Sequence, residues 1–388
     1  MTTETKPIRR VVTGTDENGK SKVVLDGPAP NNKMGALGTR TGNTNLWVWA
    51  GTPIALSGDS DDGDMPYNFP GPPGGGHVRV VETLRRQDDY DPATDPNLKP
   101  VHEPTPRPGN RSWDRGGKNA YSSGMHKTQS VDIGIMLEGE RELILDDRTL
   151  LMKPGDIAIQ VGAWHNWSSP RLGCIMAFDM IDALFVDGEN GVAQGSDKVV
   201  GPAPDFALPD GVKPARRIVT IDREPGKSSL VADGPAPDVA IDPARPGFAS
   251  ARLWVIDSTP AKIVFETLHL PRAIEPPKRG AVCRVDTIPP DANWQGKVGA
   301  AEVEAYFSAM GSSSASTYAA EAPHPYMQKI EAIDFCFILE GEIVLVLDTG
   351  EVALKAGDTV VQRGTNHAWS NRSAAPCVMA VISHDGAS

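Results

Sequence analysis

Short apolar runs broken by glycine, proline and aspartate set the pattern of this chain. From Val131 it reads Val131 to Met136, a turn at Glu138-Gly139, Glu142 to Leu145, a turn at Asp146-Asp147, Thr149 to Met152, a turn at Pro154-Gly155, then Ile157 to Val161. Runs of this length with punctuation of this kind predict strands, and their close succession predicts a β-meander. Cys174 to Met180 and Cys377 to Ser383 are uncharged through their central positions, which places them in the interior of a sheet.

The pattern is written twice. Arg9-Arg10-Val11-Val12-Thr13 returns as Arg216-Arg217-Ile218-Val219-Thr220, and Asp26-Gly27-Pro28-Ala29-Pro30 as Asp233-Gly234-Pro235-Ala236-Pro237, each 207 positions on. Further along the shift is 202: Leu137-Glu138-Gly139-Glu140 matches Leu339-Glu340-Gly341-Glu342, and Gly155-Asp156, Gln160, Gly162, His165 and Trp167 match Gly357-Asp358, Gln362, Gly364, His367 and Trp369. A repeat this long is a duplicated globular domain, not a solenoid unit. The expected division is a first domain over 1–188 with long loop insertions, a Gly-, Pro- and Asp-rich linker over 189–215, and a second domain over 216–388. In the first copy, 57–77 and 87–117 lack apolar periodicity and read as surface loops or a partial lid. Ser312 to Ser316 reads as a mobile loop. The Asp-Gly-Pro-Ala-Pro segments read as rigid turns.

Composition narrows the class. Glycine (39) and proline (34) are about a fifth of the 388 residues, against long helices and for an all-β chain. A net charge of −12 argues against nucleic acid or an anionic membrane as partner. No apolar run approaches the roughly 18 residues that span a bilayer, and Met1 to Arg10 lacks the apolar centre of a secretion signal, so the expectation is a cytoplasmic protein. The four cysteines are scattered and read as buried thiols. Neither a Gly-rich phosphate loop nor a Gly-x-Ser-x-Gly elbow is present.

A Gly-Asp turn, a short strand, a second glycine and a histidine followed two residues later by tryptophan resembles the second sequence motif of the cupin superfamily, and it occurs in both halves. The first cupin motif is His-x-His, three or four residues, Glu, six residues, Gly. Gly139 and Gly341 fit its last glycine, Asp132 and Asp334 take the glutamate position, and the histidine positions fall on His126 and Thr128 in copy one and on Gln328 and Ile330 in copy two. The chain departs from the pattern at Val161 and Arg363, near the usual proline, and in having one residue fewer before the second-motif histidine. The resemblance implies an all-β fold of two tandem jelly-roll barrels related by internal duplication, a bicupin, assembling as a homo-oligomer such as a dimer.

His126, Thr128 and Asp132 share one strand parity, so their side chains face one side, and the fold brings His165 alongside. Two imidazoles and a carboxylate form the facial set that holds Fe(II), with Mn, Zn and Ni as other divalent candidates. His126, Asp132 and His165 are therefore the expected metal ligands and catalytic residues, with Thr128, Gln160 and Trp167 facing a small-molecule substrate. Gln328, Asp334 and His367 are the second-copy equivalents, where no metal is expected. Three functions stay open: oxygenase-like, metal-dependent chemistry on an aromatic or enol-type substrate; a metal-independent lyase, decarboxylase or isomerase using His165 and Asp132 as acid and base; and a non-catalytic binding or storage bicupin.

Overall fold

The computed structural model describes residues 5–35, 40–58, 60–66, 69–169, 171–185 and 207–388, so most of the expected linker lies outside the described residues. The chain is all-β, and among the described residues Ala300–Ala309 is the single α-helix. That helix escaped the sequence reading because it buries only Val303 and Phe307, too thin an apolar stripe to register.

Each half is a sandwich of one large and one small sheet. In the first, the large sheet runs Asn31–Met34, Thr41–Trp49, Gly76–Thr83, Cys174–Asp182, Ser130–Gly139 and Ile157–Val161; the small one is Thr149–Met152, Arg141–Ile144 and Asn166–Ser168. The expected meander is thereby corrected. Ser130–Gly139 does not pair with Arg141–Ile144 but with Ile157–Val161 and Cys174–Asp182, and the chain changes sheets at Gly139. There φ is +76°, and a Cβ would stand 2.1 Å from the Gly173 carbonyl oxygen, so only glycine makes this corner. Gly341 repeats it at φ +79°.

Both faces of the large sheets are covered, which explains apolar runs without strict alternation. Along Ser130–Gly139, Met136 faces the small sheet, packing with Leu143, Met152 and Trp167. Val131, Ile133 and Ile135 face the other way, into a core that also holds Phe335, Phe337 and Trp254 of the second half. Period-two geometry then turns Asp132, on the parity of Met136, toward the inside of the first barrel. The expected interior strands are confirmed: Cys174–Asp182 is buried throughout and paired on both sides. All four cysteines are buried and unpaired.

The halves exchange their leading hairpins. Arg9–Thr15 pairs in parallel with Thr359–Arg363 of the second barrel, and Arg216–Glu224 with Ile157–Val161 of the first. A repeated clamp fixes each hairpin. Arg9 binds Asp26 of its own hairpin at 2.8 Å and Asp358 of the other half at 2.9 Å; Arg216 binds Asp233 and Asp156, both at 2.7 Å. The repeated Arg-Arg, Asp-Gly-Pro and Gly-Asp segments are thus three parts of one device. Divisions at 188 and 216 do not follow the sheets, because each barrel is completed by strands from the other half.

The turn-rich segment 87–117 folds over the first barrel, with Ser112–Asp114 pairing to His126–Thr128. Ser312 to Ser316, expected to be mobile, is instead packed, with Ser312 and Ala315 buried.

Candidate functional site

His126 and His165 are joined through their main chains, His126 N–H donating to the His165 carbonyl at 2.8 Å and His165 N–H to that of His126 at 2.9 Å. This bridge sets the two rings side by side, centroids 4.3 Å apart. Nδ1 of His126 lies 2.9 Å from the Gly124 carbonyl oxygen and Nδ1 of His165 2.8 Å from that of Ala163. A carbonyl oxygen only accepts, so each Nδ1 carries the proton and each Nε2 keeps its lone pair. Burial, with the charges of Arg107 and Arg141 adding to it, pulls the His165 imidazolium down to about 4; burial and the neighbouring His165 hold His126 well below its usual value. Both rings are neutral at pH 7.

Asp132 lines the same cavity and is likewise buried, its Oδ1 without a hydrogen-bond partner among the described residues. Burial, reinforced by the charge of Asp179, pushes its carboxyl up to about 7. The cavity has a volume of about 430 Å³, with Phe69, Trp167 and Phe178 as its aromatic walls. Thr128 and Gln160 do not reach this wall: both are buried, and Gln160 sits opposite Asp132 in the sheet. Arg141, for which the sequence offered no role, does reach it.

Among the described residues no three His, Cys, Asp or Glu side chains group closely enough to hold a metal ion. Each imidazole keeps an Nε2 lone pair, but the Asp132 carboxyl does not group with the two rings; aspartate is one methylene shorter than the glutamate of the cupin pattern. The residues present do not fit the expected three-ligand set.

The second barrel repeats the backbone and loses the cavity. Gln328 and His367 make the same two main-chain bonds, at 2.8 and 2.9 Å, and Gln328 Nε2 lies 3.2 Å from His367 Nε2. His367 Nδ1 faces the Thr365 carbonyl oxygen at 2.9 Å, so its Nε2 accepts from the glutamine amide. Arg245 stacks on Tyr326 at 3.6 Å and on Tyr306 of the helix at 4.4 Å, leaving about 30 Å³, room for a water molecule or two. Asp334 and Ile330, the equivalents of Asp132 and Thr128, are both buried.

Residues 320–383 match the family model for the cupin domain. The chain carries a cupin domain. The first half repeats the strand order and corner glycine of the second, so the chain holds two all-β barrels of like topology. Curated relatives include phomopsin biosynthesis cluster protein C' of Diaporthe leptostromiformis, 60% identical over 48 residues, covering 12% of this chain and 25% of that protein. The cupin-domain-containing oxidoreductase virC of Hypocrea virens is 44% identical over 46 residues, 12% of this chain and 24% of that one. The chain thus spans about a quarter of the length of the curated relatives it matches. Among solved structures, AerE from Microcystis aeruginosa aligns over 92% of this chain and 97% of its own at 10% identity, with a TM-score of 0.38. No helix among the described residues is long and apolar enough to cross a membrane.

Proposed function

We propose that this protein is a small-molecule enzyme whose reaction centre is the first-barrel cavity, with His126, His165 and Asp132 moving protons on an aromatic or enol-type substrate. One observation carries the reading: two neutral imidazoles with free Nε2 lone pairs and a carboxyl of raised pKa share a cavity of about 430 Å³, whereas the equivalent histidine of the second barrel is capped by Gln328 and walled in. A curated relative named as an oxidoreductase supports an enzyme in general terms.

The acid and base follow from environment. His165 Nε2 accepts a proton from substrate, because its imidazole is unprotonated above about pH 4. Asp132, protonated up to about pH 7, delivers one to the developing product. Such a pair suits isomerisation or elimination, in which one proton leaves and another arrives at a neighbouring atom. The second barrel acts as scaffold, donating its hairpin to the first. The test is a substrate screen on wild type, EDTA-treated wild type and His165→Ala: turnover survives the chelator and is lost in the variant. Strict metal dependence would overturn this reading in favour of a metal held by the two imidazoles.

A further inference from the structure

Five cationic side chains line the first-barrel cavity: Arg79, Lys99, Arg107, Lys118 and Arg141, against the carboxyls of Asp114 and Asp132. Asp114 is already engaged, at 3.3 Å from Arg107 and 3.1 Å from His102. In a chain of net charge −12 this is a concentrated positive surface, and a low-dielectric cleft focuses such a field.

Arg141 is the most telling of the five. It is only 4% exposed, and among the described residues its Nε and Nη1 have no hydrogen-bond partner. Its guanidinium lies 5.3 Å from the ring of Trp167 and 5.9 Å from that of Phe178, held between aromatic faces and not by a carboxylate. A buried guanidinium in that condition is costly unless something answers it.

The barrel itself does not require it. At the shift of 202, Ile343 takes the place of Arg141 and is equally buried. Arg79 differs in this respect: it stands opposite Phe178 as Arg284 stands opposite Val381, so that arginine is kept in both barrels. Of these two buried arginines of the open barrel, Arg141 is the one whose place an aliphatic residue takes in the closed barrel.

We infer that the first-barrel cavity recognises a small aromatic carboxylate, with Arg141 receiving the carboxylate and Phe69, Trp167 and Phe178 covering the ring. A planar anion matches a planar guanidinium set between rings. The site thereby binds its substrate by charge next to the His126–His165 pair, an assignment that rests on the acid–base reading for what happens after binding, though not for the binding itself.

The experiment is isothermal titration calorimetry on the full chain with two probes of similar shape, benzoate and the neutral benzyl alcohol. Wild type binds benzoate at least about tenfold more tightly than benzyl alcohol, and Arg141→Ile, carrying the residue the second barrel uses, removes that preference. Arg141→Lys, which keeps the charge and loses the planar fork, recovers part of it and serves if the isoleucine variant fails to fold. Equal affinity for the two probes, no binding of benzoate, or undiminished benzoate binding by both variants overturns the assignment. His165→Ala separates the two claims. If it binds benzoate like wild type and no substrate is ever turned over by wild type, the anion site stands and the enzyme reading falls. If wild type turns over neutral substrates independently of Arg141, the enzyme reading stands and the anion site falls.

Discussion

Gln328 donates its side-chain amide to Nε2 of His367 across 3.2 Å, in the backbone frame where the first barrel holds His126 beside His165. One barrel therefore shows what the other looks like when its imidazole lone pair is occupied. Because both versions fold with the same main-chain bridge, His126→Gln is expected to leave the thermal midpoint nearly unchanged and to lower kcat by about a hundredfold or more, the share usual for a positioned proton-transfer group. Loss of folding in this variant, or unchanged kcat, would contradict the role given to the open lone pair.

The two raised and lowered pKa values fix a pH profile. The active form has His165 neutral and Asp132 protonated, so kcat/KM is expected to rise as pH climbs through about 4 and to fall as it passes about 7. In Asp132→Asn the alkaline limb disappears. A profile rising through neutrality would reverse the assignment of acid and base.

Asp132 also leaves a mark on stability. Its folded pKa, about 7 against an ordinary value of 3.8, means that the folded chain holds this proton over a range where the unfolded chain has released it. Stability therefore falls as pH rises across that window and is level beyond it. Relative to wild type, Asp132→Asn is expected to gain about 2–3 kcal/mol between about pH 5 and pH 8, measured by denaturant unfolding at each pH. A pH-independent difference would show that the carboxyl is not held protonated.

The hairpin exchange is testable at Lys127 and Asp222, a fully buried pair 2.7 Å apart that joins the cavity strand to the hairpin of the other half. Asp222 also accepts the Trp164 N–H at 3.0 Å. Asp222→Asn keeps that acceptor but leaves a buried ammonium without its counter-charge, so a cost of about 3–5 kcal/mol is expected. Adding Lys127→Met should restore more than half of it. A loss below about 1 kcal/mol in the single variant would place the pair in solvent instead.

Much of this was legible because the corners and alternations are local. Gly139 and Gly341 mark their turns by necessity of φ, and the parity of His126, Asp132 and Met136 follows from strand geometry alone. The exchange was not legible: the shift of 207 shows that Arg9 and Arg216 are equivalent, but both Gly-Asp turns offer an equally good aspartate, and only the sheets decide which one each arginine reaches. Arg141, between Glu140 and Glu142, reads as a solvated strand residue; comparison with Ile343 was the available signal. Thr128 and Gln160 were expected at the substrate because of parity and position, but parity gives a direction and not a depth, and both stop short of the cavity wall.

The most direct test of the account is turnover by His165→Ala measured beside His367→Ala, two equivalent substitutions in one chain. The account predicts that the first abolishes activity and the second leaves it within about threefold of wild type, as expected for a histidine already capped by an amide and closed off from substrate. Activity surviving in His165→Ala, or vanishing in His367→Ala with the fold intact, would move the chemistry out of the first barrel.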